Sequence, residues 1–495
     1  LTYSKKFNKT HDLGVTLLQS IQRFAQDKYG IEVKDLPYEY QHFFNVGSAS
    51  TISGVSSDYL KWTLASFMGR VNYNIKDRYL FTVSARYDGS SRLAKGNKWV
   101  LFPSAAFAWR IFDEPFIPET SFLTNLKLRL GWGQTGNSAV DPYQTMGGLL
   151  LQKYNFGGTN AIGYYPNIMP NENLTWETTA QTNLGIDFGF FNNRLSGSID
   201  LYLQRTKDLL MSRQLPVVSG YESVMANIGK TQNKGIEIAL SSVNLESEKG
   251  LNWTTDLMVY ANKEEIIELY NGKKDDIGNK WFIGQPIDVI YDYQFDRIWQ
   301  DTPEDLAEMA KFNANGSSFV PGTIKLVDQN NDYKITADDK VIIGNSRPKL
   351  VVSLANNFSY KGFDLSVFLN GEFGKKITYD PPLNLNGREN YVNINYWTPS
   401  NPSNECPRPN ANQTPQYISA IKYCNGTYLR VRDITLGYTL PDVLTKKAFI
   451  ERLRFYASVQ NPFLFTSFPG VDPEGARGKE YPSVRTFMFG ANISF

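Results

Sequence analysis

Polar and apolar residues alternate over the last eleven residues of the chain, 485–495. Strand side chains point to opposite faces in turn, so an extended strand here has one apolar face and one polar or small face. The apolar face carries Phe487, Phe489, Ala491, Ile493 and Phe495. A tilted strand of about 9–11 residues crosses the hydrocarbon layer of a bilayer in a β-barrel. The stretch therefore predicts a membrane-crossing strand if the pattern recurs elsewhere.

The same two-faced pattern recurs along the whole chain, for example over residues 79–87, 195–203 and 363–369. Fourteen strands are predicted, near 12–24, 62–74, 78–88, 101–111, 123–135, 176–190, 194–209, 229–246, 250–264, 349–360, 363–375, 426–440, 449–465 and 485–495. Residues 1–7 have the pattern of the end of a further strand.

The predicted connections alternate between short and long. Tight turns are expected at 8–11, 74–78, 191–194 and 360–363, where Asn, Asp, Lys or Gly occupy the turn positions. Long loops are expected near 25–61, 136–175, 210–228, 265–348, 376–425 and 466–484. Short turns on one rim and long loops on the other are typical of outer-membrane barrels. An open sheet edge in lipid leaves backbone groups without partners, so such a barrel must close.

These patterns predict an all-β protein, a transmembrane antiparallel β-barrel with about fourteen complete strands in this chain and long extracellular loops. The 495 residues carry 51 Lys plus Arg and 49 Asp plus Glu, so the formal charge of +2 gives no reason to expect a nucleic-acid partner. No run of 18 apolar residues occurs, which excludes a transmembrane helix but not alternating barrel strands. The first residues contain no initiator Met and no signal sequence, which favours a mature or truncated part of a longer protein.

Several sequence strings are similar to those of SusC/RagA-type TonB-dependent transporters, and the similarity extends over essentially all 495 residues. The strings are GRVNY at 69–73, YDGSSR at 87–92, FPS at 102–104, LGWGQTGN at 130–137, NLTWE at 173–177, YKGFDLS at 360–366 and YLRVR at 428–432. The resemblance implies that residues 1–495 are the carboxy-terminal part of a 22-stranded barrel. The plug and the early strands would then lie outside this chain.

The resemblance also implies a function. Such proteins import bulky nutrients, oligosaccharides or peptides, across the cell outer membrane. They act with a SusD-like surface lipoprotein and couple to the TonB complex through their amino-terminal part. The expected surroundings are outer-membrane lipid, and no enzymatic activity is expected.

Aromatic residues in the long loops are candidates for contact with substrate or with the lipoprotein lid, because loops on a rigid scaffold often form binding sites. They are Tyr164, Tyr165, Trp281, Tyr291, Tyr293 and Trp397. The alternative is that each ring belongs to a barrel girdle or to a loop core.

Residues 328–339 resemble a calcium-binding loop. Side-chain oxygens occupy positions one, three and five in Asp328, Asn330 and Asp332, the Lys334 carbonyl occupies position seven, and Asp339 occupies position twelve. Position six holds Tyr instead of the usual Gly, and position twelve holds Asp instead of Glu. The sequence predicts either bound calcium in an external loop or a polar loop of similar shape.

Other chemical motifs are weak. Residues 131–136 match a dinucleotide-binding pattern by letter, but no helix is predicted after them, so a strand end is the better interpretation. Only two histidines and no Gly-x-Ser-x-Gly motif occur, which leaves little for a hydrolase. Cys406 and Cys424 are predicted either to form a disulfide or to remain free thiols.

Two other classes remain open from the sequence. One is a passive porin or a surface adhesin barrel. The other is a soluble β-rich glycan-binding protein or glycosidase, against which the apolar strand faces argue.

Overall fold

The computed structural model describes the chain apart from residues 39, 41, 119–121, 380–393, 411–412 and 476–480. The first strands are β1 (Thr2–Phe7), β2 (His11–Lys34), β3 (Thr51–Ile75), β4 (Tyr79–Ser90), β5 (Trp99–Arg110), β6 (Leu123–Asn137), β7 (Gly148–Phe156), β8 (Thr159–Met169), β9 (Glu177–Phe190), β10 (Leu195–Lys207), β11 (Leu210–Gln214), β12 (Ser223–Asn227), β13 (Lys230–Leu245) and β14 (Asn252–Glu268). They are followed by β15 (Val289–Tyr293), β16 (Phe295–Ile298), β17 (Ile324–Leu326), β18 (Lys340–Asn345), β19 (Leu350–Tyr360), β20 (Phe363–Phe373), β21 (Lys376–Thr378), β22 (Tyr423–Asn425), β23 (Tyr428–Thr439), β24 (Arg452–Thr466) and β25 (Thr486–Ser494). The α-helices are α1 (Pro303–Ala314) and α2 (Asp442–Thr445).

Fifteen of these strands form one antiparallel sheet, which confirms the all-β barrel prediction. Its order is β1-β2-β3-β4-β5-β6-β9-β10-β13-β14-β19-β20-β23-β24-β25, so each strand pairs with the next barrel strand along the chain. All fourteen predicted strands are present, and β1 confirms the further strand expected over residues 1–7. Among the described helices, none has the length and apolar character needed to cross a membrane.

The register of the sheet aligns apolar residues in rows on its outer face. One such row crosses eight strands through Leu13, Tyr73, Phe81, Phe107, Leu130, Leu184, Leu201 and Ile236. Many side chains of this face are open to the surroundings, as Phe489 shows with 82% exposure. An apolar face of this extent is stable when it meets lipid.

Aromatic residues mark both edges of the apolar band, as they do in outer-membrane barrels. Near the short turns, Tyr79 stacks on Trp109 with ring centroids 6.3 Å apart. Near the long loops, the Trp99 ring stacks between Tyr87 and Phe67, at 4.9 Å and 6.2 Å respectively. These aromatic residues indicate which part of β3, β4 and β5 lies in the membrane.

The opposite face of the sheet is polar and hydrogen-bonded. Arg129 bridges the Asp187 and Asp200 carboxylates on two neighbouring strands at 2.7 Å and 2.8 Å. The hydroxyls of Ser84 and Ser104 lie 2.6 Å apart across the same face. This face is the lumen side of the wall.

The predicted tight turns are confirmed, because β1–β2, β3–β4, β9–β10 and β19–β20 are joined by two to four residues. In the β19–β20 turn, Lys361 and Gly362 both have positive φ angles, 48° and 87°. Two left-handed residues in a two-residue loop match the right-handed twist of the flanking strands.

The predicted loop at 25–61 is wrong over most of its length. Strands β2 and β3 continue through it and leave only residues 35–50 as a connection. Beyond the lipid band both faces of the ribbon carry polar residues, such as Gln26, Asp27 and Lys28, so the two-faced pattern disappears. The backbone hydrogen bonds of the ladder do not depend on that pattern.

Candidate functional site

The long connections form the candidate functional site, because all of them lie at the same rim of the sheet. The connection after β6 contains the β7–β8 hairpin, and β8 pairs with β12 of the next long connection. The largest connection, between β14 and β19, contains β15 to β18 and α1. The connection between β20 and β23 contains β21 and β22.

The two connections that follow β14 and β20 share a hydrophobic core of two adjoining clusters, which meet at Ile335 and Tyr417. We call the two connections together the loop module (residues 269–349 and 374–427). Its buried apolar residues are Ile298, Trp299, Met309, Phe312, Phe319, Ile324, Leu326, Trp397 and Ala420. Helix α1 begins after Thr302, whose hydroxyl accepts a hydrogen bond from the Asp305 backbone N–H at 3.3 Å, and Pro303 occupies the first turn. These are standard helix-start signals, and they direct Met309 and Phe312 into the core.

Hydrogen bonds also connect the two halves of the loop module. The Trp397 indole N–H donates to the Gln300 side-chain oxygen at 3.0 Å. The Ile298 backbone N–H donates to the Asn404 side-chain oxygen at 3.1 Å. Both halves therefore contribute side chains and hydrogen bonds to the same core.

A partly buried acid also links the two halves of the loop module. The Asp292 carboxylate accepts hydrogen bonds from the Tyr423 hydroxyl at 2.6 Å and from the Tyr293 backbone N–H at 2.8 Å. Burial opposes ionisation of Asp292, but these hydrogen bonds outweigh it and hold its pKa below the usual range. The carboxylate therefore stays charged and keeps β15 joined to β22 at neutral pH.

The structure places the six aromatic candidates in different surroundings. Tyr164 is 67% exposed and Tyr165 is 38% exposed, both on β8, and Trp281 lies partly buried in the loop after β14. The partly buried Tyr291 ring packs on Phe282 at 4.7 Å.

The other two candidates belong to the module core. Tyr293 packs edge-on against Tyr417 at 5.2 Å. Trp397 is only 5% exposed and packs inside the core. The structure therefore leaves Tyr164 the most accessible of the six, and contact with substrate or lid stays a prediction.

The sixth position of the predicted calcium loop has the left-handed backbone of a sharp turn. Tyr333 stands where Gly is usual and has a left-handed φ of 58°. Its ring packs on Phe312 at 5.5 Å, and the Lys311 ammonium group lies 4.8 Å from its centre. These contacts explain how a tyrosine is retained at a strained position.

The oxygens of this loop bind the loop's own backbone. Asp328 accepts N–H groups of Asn331 and Tyr333 at 2.8 Å each. Asp339 is fully buried and accepts N–H groups of Gln329 at 3.0 Å and Thr336 at 2.8 Å. Within the described ranges, no three His, Cys, Asp or Glu side chains converge as a metal site. Calcium binding stays a prediction.

Cys406 and Cys424 are both free thiols in the structure, and a disulfide between them stays a prediction. Cys424 is paired in β22 opposite Ile377, whereas Cys406 forms an isolated bridge with Tyr396. Burial raises the pKa of both thiols, which keeps them protonated and unreactive at neutral pH.

An ion-pair network that the sequence reasoning missed holds the last long connection against the lumen wall. Arg430, on β23, is 3% exposed and pairs with Asp472 at 2.7 Å. The Glu474 carboxylate accepts the Tyr428 hydroxyl at 2.7 Å and pairs with Arg432. A β-bulge in β23 at Arg432 turns both arginines toward the loop. The sequence signal that could have indicated this network is the pair Arg430 and Arg432 in the YLRVR string.

Comparison with known proteins identifies the family. Residues 2–461 match the family model described as TonB dependent receptor-like, beta-barrel. The chain is 32% identical over 530 residues to TonB-dependent receptor P3 of Formosa agariphila, an alignment that covers 100% of this chain and 52% of the relative. It is 33% identical over 454 residues to TonB-dependent receptor SusC of Bacteroides thetaiotaomicron, covering 88% of this chain and 44% of SusC.

The fold is similar to that of the solved RagAB peptide transporter. The TM-score is 0.83 at 24% identity, over 100% of this chain and 54% of that one. The chain spans about half the length of the curated relatives that it matches. The chain belongs to the TonB dependent receptor-like β-barrel family of the outer membrane, and it represents a barrel portion of a SusC-like member.

Proposed function

We propose that this chain is the barrel portion of a receptor that imports bulky nutrients, oligosaccharides or peptides, across the outer membrane at the expense of energy delivered by TonB. The relatives that share about half of their length with it are TonB-dependent receptors, and its fold matches that of a peptide transporter. In this proposal, a plug and an amino-terminal segment outside these 495 residues perform the gating and the coupling. The chain carries out no covalent chemistry on its substrate.

The observation that supports the proposal most strongly is the asymmetry of the two rims. One rim has connections of two to twelve residues, whereas the other carries a loop module with its own core above a polar lumen wall. Such a structured external rim is suited to hold a large solute or a lid protein over the pore. A SusD-like surface lipoprotein is the partner that we propose for this rim.

The test is uptake of fluorescently labelled oligosaccharides and peptides by cells that express the full-length receptor. Collapse of the proton-motive force should abolish uptake and leave substrate bound at the cell surface. A strain without TonB should behave in the same way, and a strain without the receptor should lose binding as well. Uptake that continues unchanged without energy would establish a passive porin instead.

The choice between glycan and peptide requires a separate measurement. A strain that lacks the receptor is grown on single purified glycans or on defined peptides. Loss of growth on one class, restored by the full-length gene, identifies the cargo.

A further inference from the structure

One sector of the outer barrel face changes abruptly from apolar to basic. On β10, β13 and β14 the register aligns Leu201 with Ile236, and Ile236 with Ala261. Two residues further toward the long loops, on the same face, Lys234 lies directly opposite Lys263. On β10 the register places Leu203 opposite Lys234, and Arg205 follows two residues later on the same face, nearer the long loops. Arg205 is exposed like both lysines. We call Arg205, Lys234 and Lys263 the basic row.

The basic row lies at the upper edge of the lipid band. Arg205 and Lys263 follow the first apolar positions on their strands, Leu195 and Trp253, by ten residues. Ten residues extend over about 33 Å of strand, which a tilt of about 40° converts to about 25 Å of height. Since the apolar band of an outer-membrane barrel is about 25 Å tall, the basic row lies at the level of the lipid headgroups of the outer leaflet.

Polar side chains hold the basic row in a fixed arrangement. The buried Gln232 accepts a hydrogen bond from Arg205 Nε at 2.8 Å and donates one to Glu265 at 2.8 Å. Glu265 in turn lies 3.1 Å from the Lys263 ammonium group and 3.7 Å from that of Lys234. Two lysines directly opposite each other repel, and the single carboxylate offsets only part of their charge. The three cations therefore keep a net positive charge toward the lipid.

Other sectors have a different character at this height. The β3–β4–β5 sector presents the stacked rings of Phe67, Tyr87 and Trp99, and β6 presents the exposed Trp132. On β24 the corresponding positions are the exposed Phe463 and Phe465. The basic row thus stands where these other sectors have aromatic residues. A general preference for cations near the membrane surface would place them in those sectors too, so it does not explain the basic row.

We propose that the basic row is a binding site for the phosphate group of an anionic lipid in the outer leaflet. The two lysines lie opposite each other on strands about 4.8 Å apart, and Arg205 lies diagonally from Lys234 on the third strand. Their long side chains can converge on one phosphate. The apolar row of Leu201, Ile236 and Ala261 directly below provides a surface for the acyl chains of the same lipid. A lipid bound there connects β10, β13 and β14 below the loop module.

The experiment measures lipid retention on the full-length receptor, purified in a neutral detergent, by native mass spectrometry. The probes are synthetic lipid A with its phosphates, the same lipid without phosphates, and inorganic phosphate as a competitor. The test variant carries Arg205→Gln, Lys234→Gln and Lys263→Gln. The matched control carries Lys273→Gln and Lys274→Gln, which removes two exposed charges from an external loop.

Wild type and control should retain phosphorylated lipid A, and the triple variant should bind it at least tenfold more weakly, since each cation near an anionic surface contributes about fivefold. Removal of the lipid phosphates should have the same effect as the triple substitution. Equal retention by the triple variant and wild type would overturn the proposal. Displacement by millimolar inorganic phosphate would overturn the lipid assignment in favour of a free-phosphate site.

The proposal stays testable if the triple variant does not insert, which its migration on unheated gels would reveal. Lys234→Gln and Lys263→Gln alone should then each weaken retention about fivefold. Lys234→Arg with Lys263→Arg should retain lipid like wild type. Single variants that match wild type would also overturn the proposal.

Discussion

Trp397 tests whether the loop module is one cooperative unit. Its side chain is 5% exposed, packs in the core with Ile298 and Ile324, and donates to Gln300. Trp397→Ala removes a buried indole, which costs about 3–5 kcal/mol in protein cores. Because the tryptophan comes from one connection and most of the core from the other, the loss should extend to both.

Hydrogen exchange of the full-length receptor measures this loss locally. A cost of about 3–5 kcal/mol corresponds to exchange about 10² to 5 × 10³ times faster in β16 and β17, which lie in the other connection. Barrel strands such as β9 and β10 should exchange at the wild-type rate. Trp397→Phe keeps one aromatic ring but loses the N–H donor and part of the buried indole volume, so its cost should be lower, about 1–3 kcal/mol.

Tyr164 is the matched control, because it was an equally good aromatic candidate by sequence but is 67% exposed. Tyr164→Ala should change exchange of the loop module by less than about threefold, as expected for an exposed side chain. If Trp397→Ala accelerates exchange in β16 and β17 by less than tenfold, the shared core does not stabilise the module and the reasoning is refuted.

Three further predictions follow from local contacts. Arg430→Met leaves the buried Asp472 carboxylate without its cationic partner, which should cost about 3–5 kcal/mol and expose the connection after β24 to protease. The control Lys446→Met, in an exposed turn, should not increase cleavage. Equal cleavage of the two variants would contradict a stabilising buried pair. Burial opposes ionisation of Asp472, but backbone hydrogen bonds and Arg430 hold its pKa below the usual range. Protection of this connection from protease should therefore be constant from pH 7 to about 5 and decline only as the pH falls below about 4. A decline near pH 6 would contradict a lowered pKa of Asp472. Gly136→Ala places a methyl group 2.1 Å from the Phe102 ring and should destabilise the barrel by about 1–3 kcal/mol in thermal unfolding. The control Gly131→Ala has its nearest neighbour 4.0 Å away and should cost less than about 1 kcal/mol. Equal melting temperatures of the two variants would contradict the close packing of Gly136 against Phe102.

Calcium binding by residues 328–339 gives one more test. Calcium should slow proteolysis of the β14–β19 connection, a chelator should accelerate it, and Asp328→Ala with Asp332→Ala should remove the difference. Identical cleavage with and without chelator in the wild-type protein would exclude a stabilising calcium site.

The strands could be predicted from the sequence because lipid on one side and a polar lumen on the other force a sharp alternation. Residues 485–495 show it most clearly, and the register of β24 with β25 places Phe487 and Phe489 on the outer face. The ribbon over 25–61 was missed because it stands beyond the lipid, where no such constraint acts. Pattern therefore identifies strands only where the two faces have different surroundings.

The functional rim was less predictable, because its contacts join residues far apart in the chain. Trp397 lies 97 residues from its hydrogen-bond partner Gln300, and nothing in either local sequence indicates the pairing. The Arg430–Asp472 pair has the same character at a separation of 42 residues. The basic row became visible only when the register placed Lys234 opposite Lys263.

The shared core has a consequence for anyone who alters this protein. External loops of barrels ordinarily accept tags, deletions and exchanged segments one at a time. Here a cut in either of the two connections removes one side of a common interior, so a graft from a relative must bring both segments together. A library that varies only one of them will mostly sample misfolded surfaces, whereas paired segments preserve the platform.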